Sequence, residues 1–151
     1  MSNLLRELHC KFQDSDYDDD IVSLALSLVN IGRWCWEQAK DLEITLEKPK
    51  DPERFYKMVP HFPAMKSRIS ARNILAGICK EEDRTLLIQN VYIGAFAVAY
   101  VYHLPVQKMF EMIVAEEETD RPTVQQMLLD DGMSPNLLKE PSGKDFSAIH
   151  L

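Results

Sequence analysis

Glu37 and Asp41 stand four residues apart, Arg68 and Arg72 repeat that spacing, and Glu116, Glu117 and Asp120 form a second acidic group. On a helix a four-residue step is about one turn, so the members of each pair share a face. Two helices that present such carboxylates to each other can hold Mg²⁺ against phosphate oxygens, and paired arginines can meet those oxygens from the side. Glu37, Asp41, Glu116, Glu117 and Asp120 are therefore the candidate Mg²⁺ ligands. Lys66, Arg68 and Arg72 are the candidate contacts for phosphate or for an acidic partner. The simpler reading of Glu37 and Asp41 is the wet face of a helix. One ingredient of the metal site is missing, because residues 85–103 are the most apolar stretch and carry no carboxylate.

A second acidic run suggests a different metal. DSDYDDD, residues 14–20, sets five carboxylates in seven positions. A calcium loop needs oxygens at positions one, three, five, seven and twelve, with glycine at six. Counted from Asp14, the residues Asp16, Asp18 and Asp20 fit, but position six is Asp19 and position twelve is Ala25. The two most demanding positions fail. Asp18, Asp19 and Asp20 suit instead the amino end of a helix, whose unpaired N–H groups and dipole favour each carboxylate by about 0.3–1 kcal/mol. Asp14 and Asp16 are left without a role.

Nucleophilic chemistry has less support. Cys35 falls on an apolar stripe between Trp34 and Trp36, where burial raises a thiol's pKa. Cys79 next to Lys80 lacks a base, and His9, His61, His103 and His150 share no ligand spacing with a cysteine cluster. Gly77 and Gly94 are isolated in helical patterns and make no phosphate loop; Gly94 with Ala95, Ala97 and Ala99 suits a close helix approach. No cofactor is expected, and Mg²⁺ only if the chain is a hydrolase.

The elements that must position these groups are helices. Residues 3–12 read as a first helix. Ile21, Leu24, Leu28, Ile31, Cys35, Ala39, Leu42 and Leu46 continue one stripe over about 19–47. Val22, Leu26 and Val29 add a second stripe, so its early turns should be buried on two sides. Asp51 and Pro52 open a short helix that Pro60 and Pro63 close. Further helices follow at roughly 63–80, 85–103, 105–118 and from Pro122 to a stop at Gly132. The spacing thus predicts an all-α single domain, residues 1–134, of six or seven helices around the apolar helix 85–103. Residues 135–151 read as an extended tail. From Thr85 to Gln107 there is no charged side chain, a length that could span a bilayer. Gln89, Asn90 and the small residues at its middle favour a buried core helix instead.

Bulk properties narrow the class. A chain of 151 residues with 46% hydrophobic residues and five glycines can bury a full core. Three widely spaced cysteines fit reduced thiols in the cytoplasm, and the charges in MSNLLRELHCKF are unlike a signal peptide. The net charge of −7 argues against direct nucleic-acid binding. Charge is nonetheless uneven: residues 54–80 hold six bases and no acid, whereas 14–20 and 111–120 hold five acids each and no base. Trp34, Trp36, Phe55, Tyr56 and Phe62 are aromatic candidates for an interface around the proline break. The sequence therefore points to a small acidic interaction or regulatory protein, self-associating or bound to another protein, without catalytic activity. The alternative is a Mg²⁺-dependent all-α nucleotide pyrophosphohydrolase.

Overall fold

Asp20 begins the longest helix: its carboxylate accepts a hydrogen bond from the Ser23 amide at 3.1 Å, satisfying one of the free donors of the first turn. The computed structural model describes residues 2–49, 67–115 and 118–135. Among them the regular structure is wholly helical, in six elements: α1 (Asn3–Tyr17), α2 (Ile21–Asp41), α3 (Arg68–Ile78), α4 (Arg84–Val101), α5 (Val106–Val114) and α6 (Arg121–Asp130). The helix expected after Asp51 and the tail beyond residue 135 lie outside the described residues.

Two helices share the centre. The early turns of α2 bury both stripes, including Val22, Leu24, Ala25, Leu28, Val29 and Ile31. It packs against α1, α4, α5 and α6. In α4 every residue from Val91 to Ala99 is buried, and this helix packs against α2, α3 and α5. The apolar helix is thus central, as its composition implies, but α2 contacts more of the bundle because it is longer and apolar on two sides. Gly94 lets α3 close on α4: a Cβ there would lie 3.3 Å from Leu75 Cδ1 and 3.4 Å from Ile78 Cδ1. Arg84–Val101 is the one helix among the described residues long and apolar enough to cross a membrane, yet 61% of it is buried within the protein. A single such span, enclosed by other helices, argues against a protein with several membrane crossings.

Two boundaries differ from those the periodicity predicts. α1 does not stop before the aspartates but runs to Tyr17, because Ser15 is buried and donates to the Lys11 carbonyl at 2.7 Å and Asp16 finds partners on other helices. α2 ends at Asp41 rather than near 47. Glu43 takes a positive φ of 56°, and the Ile44 amide returns to the Ala39 carbonyl at 2.8 Å. That is a Schellman closure with glutamate where glycine is usual. Leu46, four residues beyond Leu42 as the stripe requires, and Ile44 then pack against the core from a non-helical segment, so the helical spacing outlasts the helix. The same closure recurs at Asp19 (φ 56°), His103 (φ 59°) and Gly132 (φ 92°), where the next amide bonds to Ser15, Ala99 and Leu128 carbonyls respectively.

Candidate functional site

The acidic run 14–20 folds into a helix end, a corner and a helix start, which separates its carboxylates. Asp16, in the last turn of α1, pairs with Arg72 of α3 at 3.0 Å and accepts a hydrogen bond from the Tyr102 hydroxyl at the end of α4. Burial, then that bond and the Asp16 charge, push the Tyr102 phenol well above its ordinary pKa. Arg68 lies over the same ring, 4.7 Å from its centroid. Asp18 ends α1 and Asp19 occupies the left-handed corner. Asp20 caps α2 and holds Arg121 through two bonds of 2.9 and 3.0 Å. Burial raises the Asp20 carboxyl, but the Arg121 and Ser23 hydrogen bonds and the guanidinium charge outweigh it, leaving the pKa below the usual value. Two of the five aspartates are therefore tertiary ties, not calcium ligands.

The proposed phosphate contacts are likewise occupied: Arg72 by Asp16, Arg68 by the Tyr102 ring. Lys66 lies outside the described residues, as do Phe55, Tyr56, Phe62, Glu116 and Glu117. Glu37 and Asp41 are exposed on the last turns of α2. Asp120 caps α6, accepting from the Thr123 amide at 2.9 Å and from its hydroxyl. Among the described residues no three His, Cys, Asp or Glu side chains stand together to hold a metal ion. Trp34 is 8% exposed and belongs to the core. Trp36 is half-buried, edge-on to Phe110 at 5.8 Å and tilted against Tyr92 at 6.4 Å. Cys35 and Cys79 are buried free thiols; burial raises Cys35 far above its ordinary pKa and Cys79 to about 12, which disfavours the thiolate.

Three surface features stand out from this bundle. The first is an open trough of 690 Å³ between α5 and α6. Its apolar lining comes from Met112, Ala115, Pro122 and Met127, and its rim includes Glu111 and Asp130. Arg33 fixes the connection between the two helices: its Nη2 donates to the Met112 carbonyl and to the Thr119 hydroxyl, both at 2.6 Å. Lys108 on the rim faces Asp131 at 3.7 Å. The second is the end of the bundle where α1 finishes and α3 begins, which leaves Tyr17 87% and Ile69 63% exposed. The third is a pocket of 270 Å³ between residues 45–47 and α4.

Sequence reasoning missed the trough, Arg33 and the Asp20–Arg121 tie. Met112 and Met127 fall on ordinary apolar spacings, so only the gap between their helices reveals them. The one available signal for Arg121 was its place beside Asp120 and Pro122, a helix start, which says nothing of a partner 101 positions away. Comparison with protein-family models, curated proteins and solved structures finds no match to this chain.

Proposed function

We propose that this chain is a small acidic interaction or regulatory protein without catalytic activity, which receives an amphipathic, basic-faced helix in the trough between α5 and α6. The trough is the observation that carries this reading. Methionine side chains are flexible and polarizable, and an apolar groove between two helices is a recurring way to seat a third. Its rim carboxylates Glu111 and Asp130 favour lysine or arginine on the incoming helix, and Lys108 is already opposite Asp131. The net charge of −7 would speed the encounter with a basic partner. A second copy of the chain carries the same net charge of −7 and so gains nothing from that steering, but its residues 54–80, with six bases and no acid, offer a local match to the rim. Three free thiols suit the cytoplasm.

The hydrolase alternative needs Glu116 and Glu117 to complete a ligand set that Glu37, Asp41 and Asp120 do not make by themselves. Fluorescence anisotropy with a labelled Leu/Lys amphipathic helical peptide tests the interaction reading, with a Leu/Glu peptide as control. The expected result is salt-sensitive binding of the Leu/Lys peptide, abolished by Ala115→Arg, an exposed position whose new side chain fills the trough. Equal binding of both peptides, or binding unaffected by Ala115→Arg, overturns it. Sedimentation of the chain alone reads whether a second copy is the partner.

A further inference from the structure

The charge-free helix α4 carries two adjacent carboxamides, Gln89 and Asn90, in its apolar sequence. Both are half-buried, and neither has a hydrogen-bond partner among the described residues. A helix closed to water on this side would leave such amides buried and unpaired, but among the described residues only His9 Nε2 and Arg33 Nε are in that state. Gln89 and Asn90 open instead into the pocket of 270 Å³ beside residues 45–47. Leu46 and Ile93 give this pocket apolar walls, and Thr45 adds a hydroxyl. The Tyr92 wall is anchored, since its hydroxyl donates to the Glu47 carbonyl at 2.8 Å and ties residue 47 to α4. The site is thus framed by the backbone turn that ends α2 early.

Its chemistry selects a class of ligand. Each carboxamide offers an N–H donor and a carbonyl acceptor side by side, the pattern with which Asn and Gln read a flat heterocyclic edge. Among the described lining residues there is no lysine, arginine or histidine, and Glu47 is the one carboxylate. A phosphate or carboxylate would therefore meet the Glu47 charge with no counter-charge from these residues. The volume is at the low end for ligand pockets and suits a single ring system. We infer that this pocket binds a small uncharged planar molecule with adjacent donor and acceptor groups, of the free-nucleobase or aromatic-carboxamide class, through Gln89 and Asn90.

Titration of the ¹⁵N-labelled full chain with adenine, uracil and nicotinamide tests this by NMR, with nicotinate as the charged isostere of nicotinamide. The side-chain NH₂ signals of Gln89 and Asn90 should shift with at least one neutral probe. Which probe binds tells a nucleobase from a simple carboxamide, and nicotinate should bind at least about tenfold more weakly than nicotinamide if the latter binds. Gln89→Leu and Asn90→Leu should each weaken binding by about tenfold or more while leaving the thermal midpoint unchanged. If a Leu variant loses the fold, Gln89→Glu, which keeps the shape and replaces the donor by charge, is used in its place. The inference is overturned if no neutral probe shifts these signals at about 10 mM, or if the variants bind as the parent chain does.

Discussion

Asp16 in α1 and Arg72 in α3 meet at 3.0 Å across 56 positions of sequence, and the Tyr102 hydroxyl donates to the same carboxylate. One side chain thus joins three helices at one end of the bundle, in a setting where Asp16 is only 11% exposed. Asp16→Asn removes the charge that both partners face, and about 1–3 kcal/mol of stability should go with it. Asp14→Asn, on the exposed side of the same helix, should change stability by less than about 0.5 kcal/mol. Urea unfolding of the two variants checks the contrast. Equal effects would mean that the tie contributes nothing beyond the charge of the run.

Gly32 lies where α2 meets α5, and a Cβ there would overlap the Ile113 side chain, whose Cγ1 would be 3.2 Å away. Ile113 is itself buried, so it has little room to turn aside. Gly32→Ala should therefore destabilise the chain by about 1–3 kcal/mol, even though alanine is the better helix former. Ile113→Val trims the obstructing side chain. In the double variant the two costs should be less than additive, as a double-mutant cycle in denaturant would measure.

His9 supplies a pH dependence. It is 7% exposed with no partner for Nε2 among the described residues, and burial lowers its pKa from 6.5. The unfolded chain then binds more protons than the folded one between the lowered value and 6.5. Stability is full above that range and declines as pH falls through it. Thermal midpoints from pH 8 to 5 should show this decline in the parent chain and a flatter profile in His9→Leu. Asp20, held below its usual 3.8, adds a separate loss at still lower pH, when its bond to Arg121 is protonated away.

Glu43 and His103 hold left-handed backbone at φ 56° and 59°, a region that costs a side-chain-bearing residue about 1 kcal/mol. Neither side chain has a hydrogen bond or ion pair among the described residues. Glu43→Gly and His103→Gly should each raise stability by about 0.5–1 kcal/mol, less whatever the added freedom of the unfolded chain offsets. Calorimetry decides; a lower melting temperature in both would refute the strain account.

How far the sequence disclosed this molecule depends on whether the deciding partner is near or far in the chain. Helical phase is local, so the two stripes of α2 and the buried run of α4 could be read from spacing. Capping is local too, and Asp20, Asp83 and Asp120 sit where a helix needs an acceptor. The end of α2 was hidden because Leu46 keeps the stripe's four-residue interval from Leu42 while reaching the core from a non-helical segment. Asp16 was unreadable for a different reason: nothing within α1 announces an arginine on α3 or a phenol on α4. Of the candidate sites, the aromatic and acidic residues were visible as types, but the trough exists only because two separate helices stand apart on α2.

The double-sided burial of α2 also has a cost during synthesis. Its residues 21–41 leave the ribosome long before α4, residues 84–101, which covers one of its faces. At ordinary elongation rates that interval is roughly 3–12 s. For those seconds the nascent chain carries an adhesive, aliphatic surface that only α1 partly shields, so its yield in a cell should depend on chaperones that occupy that surface until the later helix arrives.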